Sequence, residues 1–328
     1  MTSSATVALD LAGRSPAAAA RRRLRRTSTA TPVVVAVPAW FGMADRHQLV
    51  SYLDRNGAWP LGLASSTLAG ALGHFDATTN QRPKSSVLCL DVRRGWSAGL
   101  IRVEPDGLTE VASWGIPPGD VAGRLADAAT CTWLVEHLFA ASSAIAGTGP
   151  IGAVLVIDDA GVRASLVREA VRQCDLVSAE CKVVVDRGRC VAKGAARVHR
   201  SDDLRGSVGA LAHALTVRAD GDPQRVTMHV VAAEHALFPS TTRQMFELGR
   251  DDGSPLHFDI YEQHRSVPGD GAIDHRLVVR AHLVRERGFD QNMLVTFELG
   301  ANGLLSIGPV KAWNLEWEPG SLSLDGRR

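Results

Sequence analysis

The sequence predicts an α/β domain followed by an all-β domain, and three observations carry that reading. Apolar strand-like runs alternate with helix-spaced segments through the first two-thirds of the chain. Helix signals largely stop at about Ser201. Beyond it, short runs of alternating apolar and polar residues are separated by DGD, DDGS and PGDG turns, the pattern of a β-sandwich. The 328 residues suffice for two domains, since one domain takes about 100–200.

The elements follow in order. VALDL is a short apolar run, and VVVAVPAWF is a β-branched strand stopped by Pro38. MADRHQLVSYLDRNG has helical spacing through Leu49, Val50 and Leu53, and PLGLA and the small-residue helix STLAGALGHF come next. SVLCLDV, SAGLIRVE and LTEVASWGI form a three-strand meander with PDG as its second turn. The segment 119–142 reads as a long amphipathic helix with Asp120 near its positive end. IGAVLVIDD is an apolar strand, VRASLVREAVRQ a helix, CKVVVD a short strand and CVAKGAARVHR a last helix. Apolar strands between helices imply a sheet covered on both faces. ALTVRA, RVTMHVVA, TRQMFELG, LHFDIYEQ, HRLVVRAHLV and NMLVTFEL are the sandwich strands, and ANGLLSI adds an Asn-Gly hairpin. The boundaries are a basic segment at 1–30, the α/β domain at 31–200, a linker at 201–212, the sandwich at 213–311 and a tail without sustained period at 312–328.

Composition excludes several classes. The apolar fraction of 45% and charged fraction of 22% are those of a packed globular protein. A net charge of +1 gives no general affinity for nucleic acid, and no run reaches the roughly 18 apolar residues of a membrane span. The five cysteines (Cys89, Cys131, Cys174, Cys181 and Cys190) are odd in number and lack close CxxC pairs. They read as buried thiols in a reducing, cytoplasmic compartment. The histidines show no HxxxH or HxH grouping, so no metal is expected. AAAARRRLRR is either a surface helix with a solvated basic face or an arm for phosphate or membrane.

Taken together and in this order, the pieces resemble the 70-kDa heat-shock chaperone family. VVVAVPAWFGMADRHQL resembles its strand-Pro-aromatic-helix signature, STLAGALGHF its Ala-rich helix, and VLCLDVRRGWSAGLIRV its second phosphate hairpin. AVLVIDDAGVRASLVREAV falls at the adenosine-contacting strand and helix, and CVAKGAARV at the Ala-x-Gly-Ala-Ala helix before the interdomain linker. LFPSTTRQMFELGRDDGSPLHFDIYEQ and VTFELGANGLLSI resemble its peptide-binding strands. The resemblance implies an actin-like, ribonuclease-H-like ATPase-type domain reduced to its inner subdomains. A sandwich of the substrate-binding type then follows, with no helical lid.

Against that family, the nucleotide chemistry reads as lost. A phosphate loop needs successive glycines so that backbone N–H groups approach the phosphates. Where the family has D-L-G-G-G-T, this chain has Asp91-Val92-Arg93-Arg94-Gly95-Trp96, and the three bulky side chains are expected to fill the phosphate space. The family's catalytic glutamate falls at about Ser65, so no carboxylate is expected to orient an attacking water there. Neither nucleotide nor any other cofactor is expected.

Several candidates stay open between two roles. Arg93 and Arg94 either face solvent at a turn or bind an anion directly. Asp158 and Asp159 are a helix cap or an acid pair. Pro38 and Arg46 match positions that the resemblance links to interdomain signalling, or serve only as a strand stop and a helix-surface arginine. Leu256 and Phe258, with Phe246 beneath and Gly249 at an arch, fall at peptide-pocket positions or are plain core.

Two functions compete. One is a nucleotide-independent, chaperone-like protein that holds a peptide, a protein client or a partner subunit. The other is an enzyme recruited to the opened cleft, with Asp10, His74, Arg93, Arg94, Trp96, Asp158 and Asp159 around a small molecule. Apolar surface uncovered by the missing subdomains makes self-association a further expectation.

Overall fold

Valine-rich runs that alternate between two apolar faces can be buried on both sides, and they become the inner strands of two sheets. The computed structural model describes residues 7–10, 31–75, 85–104, 107–118, 127–145, 149–198, 209–220, 228–247, 256–265, 273–283, 292–300, 303–308 and 313–318. The Asp120 end of the expected long helix, Gly249 and most of segment 1–30 lie outside them, and the side chain of Leu256 is not described.

Strands β1 (Val7–Asp10), β2 (Thr31–Val37) and β3 (Ala58–Ser65) form a parallel sheet in that order. Helix α1 (Met43–Arg55) crosses from β2 to β3 and covers its outer face, where Val33, Val35 and Val37 meet Leu49, Tyr52 and Leu53. The second sheet has the order β6-β5-β4-β7-β8, made of β4 (Ser86–Asp91), β5 (Trp96–Val103), β6 (Leu108–Ile116), β7 (Ile151–Ile157) and β8 (Lys182–Asp186). β4 to β6 are the antiparallel meander, and β7 and β8 extend it in parallel.

Helices α2 (Ser66–His74) and α5 (Arg189–Val198) lie between the sheets. They contact Val34 and Ala36 on one side and Val87, Cys89, Leu155 and Ile157 on the other. Small residues let the two helices touch backbone to backbone. A Cβ at Gly73 would collide with the Cys190 carbonyl, and one at Gly194 with the Ala69 carbonyl. Helices α3 (Ala128–Ser143) and α4 (Val162–Gln173) close the far face through Leu134, Leu138, Phe139, Val167 and Val171. The α/β part is thus helix, sheet, helix pair, sheet, helix pair.

The second part is built of antiparallel strands. One sheet has the order β11-β10-β14-β15-β18, from β10 (Ala214–Asp220), β11 (Met228–Ala232), β14 (Leu256–Arg265), β15 (Ile273–Leu283) and β18 (Trp313–Trp317). Another has the order β13-β16-β17, from β13 (Ser240–Glu247), β16 (Asn292–Leu299) and β17 (Leu305–Gly308). Both contribute to one apolar cluster, with Leu215, Val217, Phe258, Ile260 and Val279 from the first and Phe246, Val295, Phe297 and Ile307 from the second.

Two boundaries differ from the sequence expectation. The end of the linker is structured: β9 (Gly209–Ala210) pairs with β12 (Leu237–Phe238), and Leu211, Ala212 and His213 are buried. The tail is also part of the core sheet, because β18 pairs along β15 from Leu283↔Trp313 to Val279↔Trp317. Among the described residues no helix is long and apolar enough to cross a membrane.

Candidate functional site

In an open α/β sheet the strand ends converge on one edge, and ligands bind there. Asp10 ends β1, Asp91 ends β4, Asp158 follows β7 and Asp186 ends β8. The turn between β4 and β5 places Arg93 in the middle of this edge. Its Nε donates to Asp91 Oδ1 at 2.8 Å and its Nη2 to Asp91 Oδ2 at 2.8 Å, a two-pronged pair. Its Nη1 donates to Asp10 Oδ2 at 2.5 Å and its Nη2 to Asp10 Oδ1 at 3.3 Å. The Arg93 side chain is 2% exposed, against 14% for Asp10. Burial alone would lower the guanidinium's pKa, but the hydrogen bonds and charges of Asp91 and Asp10 outweigh it and raise the value. Arg93 is therefore a fixed internal cation. It neither faces solvent nor offers itself to an external anion, which corrects both sequence readings of this residue.

The rest of the turn is stitched down. Arg94 is half-buried, and its carbonyl accepts from Trp40 Nε1 at 2.9 Å, while Ala39 N–H donates to Ser97 Oγ at 2.9 Å. Gly95 has φ +65°, and a Cβ there would press on the Ile116 carbonyl and stand 3.0 Å from Trp40 Nε1. Trp96 does not fill the phosphate space as expected: it opens β5 and turns inward to the cluster under α3 and α4. Arg93 is the side chain of this turn that lies between Asp10 and Asp91. A nucleotide does not fit this edge, since its phosphates and counter-ion would have to displace an arginine held by two carboxylates.

The other candidates separate into local roles. Asp158 is buried and caps α4, accepting from Ala160 N–H at 3.1 Å and Ala164 N–H at 2.9 Å. Asp159 and Arg93 both flank Gly188, whose φ is +81°. His74 Nδ1 lies 3.0 Å from Asp186 Oδ2, and Asp186 Oδ1 accepts from Gly188 N–H at 3.0 Å. Asp10, Arg93 and Asp159 thus gather on one edge, whereas Asp158 serves a helix and Trp96 the core.

Sequence reasoning missed Glu110. It stands in β6 two residues after Leu108, on the face toward the helix pair, and a bulge at Val111 turns Ala112 to the other face, so the strand period carries only half of the signal. Its Oε1 accepts from Ser65 Oγ at 2.7 Å and Thr67 Oγ1 at 2.5 Å, and its Oε2 from the β9 backbone N–H of Ala210 at 3.3 Å. A carboxylate therefore does stand beside Ser65, contrary to expectation. It is sealed from water, and burial pushes its pKa up to about 7 against those hydrogen bonds.

A second polar cluster joins the two parts of the chain. Met43 N–H, at the start of α1, lies 3.2 Å from Glu262 Oε1 and 3.3 Å from Oε2, and His264 Nε2 lies 3.0 Å from the same carboxylate. His213 and His264 rings are 3.9 Å apart. Burial would raise the Glu262 pKa, but the His264 hydrogen bond and the charges of His213, His264 and Arg46 hold it low. Arg46 is buried here, with Nε donating to the Phe41 carbonyl at 3.3 Å and its guanidinium carbon 5.8 Å from the Phe238 ring centre. Pro38 sits just upstream, buried, its carbonyl accepting from Phe41 N–H at 3.1 Å. His47 and Trp317 stack at 3.3 Å on the same side of α1.

Glu110 and His213 pull stability in opposite directions with pH. Burial depresses the His213 pKa to about 3, so below about 6.5 the unfolded chain takes up a proton that the folded one refuses, and stability falls with pH. Glu110 titrates at about 7 folded and 4.5 unfolded, so its contribution falls as pH rises through that interval. Each slope is about 1.4 kcal/mol per pH unit. Glu110→Gln is expected to gain about 2 kcal/mol between pH 5 and 6.5, and His213→Gln to lose about 2 kcal/mol over the same interval. Urea unfolding at the two pH values checks this, and equal slopes in the two variants would refute it.

Of the peptide-pocket candidates, Phe246 and Phe258 are buried with ring centres 4.5 Å apart in the shared cluster. The large exposed apolar residues described in this part are elsewhere: Met228 and Val230 on β11, Leu237 on β12, Met245 on β13, Ile273 on β15 and Leu294 on β16. Met245 and Leu294 are register partners.

No family model matches the chain, and no curated protein matches it. Among solved structures, it is similar to an inorganic polyphosphate/ATP-glucomannokinase from Arthrobacter sp. strain KM, at 14% identity and a TM-score of 0.35, over 56% of this chain and 78% of that one.

Proposed function

We propose that this chain is a chaperone-like binding protein that works without nucleotide, a shortened relative of the 70-kDa heat-shock family. In this reading the α/β part is an actin-like, ribonuclease-H-like domain reduced to its inner subdomains, and the antiparallel part is a substrate-binding β-sandwich. The observation that carries it is Arg93, buried between Asp10 and Asp91 where a phosphate and its cation would lie. With that edge closed, ATP has no means of driving a cycle. Binding then rests on the exposed register pair Met245 and Leu294, which suits an extended apolar segment of a client. The buried Phe246 and Phe258 support that surface from beneath.

Calorimetric titration with ATP and with ADP, each with Mg2+, is expected to give no binding up to millimolar nucleotide. A labelled extended apolar heptapeptide is expected to bind, with an affinity that ATP leaves unchanged and that Met245→Glu weakens about tenfold. Micromolar nucleotide binding would overturn the first half. Failure both to bind peptides and to suppress client aggregation would overturn the second.

A further inference from the structure

The β11-β10-β14-β15-β18 sheet carries, on the face opposite Phe258 and Ala281, a pair of imidazoles that the proposed function does not use. His257 of β14 and His282 of β15 are register partners. Their rings meet edge to face with centres 4.6 Å apart, and their Nδ1 atoms stand 2.6 Å apart. On the far side of His282, Glu316 Oε2 of β18 lies 3.5 Å from Nε2, a charge contact only, and that nitrogen is buried without a hydrogen-bond partner among the described residues. A carboxylate behind an imidazole holds the proton on the near nitrogen and leaves the far one as a lone pair. Here the far nitrogen is Nδ1, aimed at His257.

We propose that His257 and His282 form a two-nitrogen chelate for a divalent transition metal, with Glu316 orienting His282 from behind. Two imidazole nitrogens bound at about 2.0–2.1 Å stand about 2.9 Å apart at a right angle and about 3.3 Å apart at the tetrahedral angle. The observed 2.6 Å is that of a hydrogen bond between the two rings, and a metal would replace its proton and spread the nitrogens apart. The intrinsic affinity of imidazole places Cu(II) first among the candidates, ahead of Ni(II) and Zn(II). No described cluster offers three or more His, Cys, Asp or Glu side chains in metal-holding geometry, so water completes the coordination. Asp220 on β10 and Asn314 on β18 hold the register positions at either end of the row.

The ion would tie β14 to β15 and, through Glu316, to β18, whose Trp317 stacks on His47 of α1. Binding only to the folded sheet, it would raise the melting temperature by linkage.

The test uses the full chain, stripped of metal by a chelator, and titrated with CuCl2 alone. One equivalent is expected to bind, with electron paramagnetic resonance showing two nitrogen ligands and the melting temperature rising. His257→Gln and His282→Gln are each expected to lower affinity at least tenfold, and Glu316→Gln a few-fold. Absence of stoichiometric binding, undiminished affinity in either histidine variant, or fewer than two nitrogens on the bound copper in the unaltered chain would each overturn the proposal. The nitrogen count is read on the unaltered chain, so the test stands even if a variant does not fold.

Discussion

Arg93→Ala is expected to destabilise the chain by about 3–5 kcal/mol, because it strands Asp10 and Asp91 without their cation. Asp91 is fully enclosed, so its ionised form then pays the desolvation penalty without the guanidinium that faces it. Urea unfolding at pH 7 measures the loss. Two further results separate this account from simple loss of packing. Arg93→Met, similar in bulk but uncharged, is expected to lose nearly as much. Millimolar Mg2+ is expected to restore part of the stability of Arg93→Ala, since two carboxylates then face a vacated cation position. A loss below about 1 kcal/mol would mean that the carboxylates are satisfied without the guanidinium.

Glu262→Ala is expected to have a comparable effect, about 3–5 kcal/mol, at the junction of the two parts. It removes the acceptor of the α1 N-terminus, frees His264 and leaves Arg46 buried beside a weaker field. The effect should also be visible in cooperativity. The intact chain is expected to unfold in one calorimetric transition, and Glu262→Ala in two, because the polar contact that couples the parts has gone. Glu262→Gln keeps the shape and an acceptor for Met43 N–H but loses the charge, and falls between. One unchanged transition in Glu262→Ala would show that the apolar contacts of Met43 and Trp317 suffice to couple the two parts.

Much of the fold was legible in the sequence, for reasons that particular elements make plain. Val33–Val37 and Ile151–Ile157 are unbroken apolar runs, and only strands covered on both faces tolerate such composition. Gly73 and Gly194 sit in Ala-rich helices, the composition that close helix contact demands. WNLEW alternates as a strand should, but five residues are too few for a period to stand out, so β18 read as a tail. β9 is shorter still, and only its partner β12 defines it. The site was less legible because its chemistry lies in pairings between distant residues. No local pattern says that Arg93 folds back on Asp10, or that Glu110 reaches the Ser65 hydroxyl from another strand. Local spacing did find the Asp158 cap, because the helix it serves begins only a few residues later.

The place of β18 bears on how the chain reaches this structure. It is the last described element in sequence, yet it completes a five-stranded sheet and sets Trp317 on α1, near the other end of the chain. Contacts of such long sequence separation slow folding, because the loop between them must close before any of them is rewarded. During synthesis, the edge of β15 and His47 of α1 wait uncovered until the last strand emerges. Such an intermediate is the kind that aggregates. The speed with which β18 closes its sheet therefore sets how long the chain stays open to aggregation.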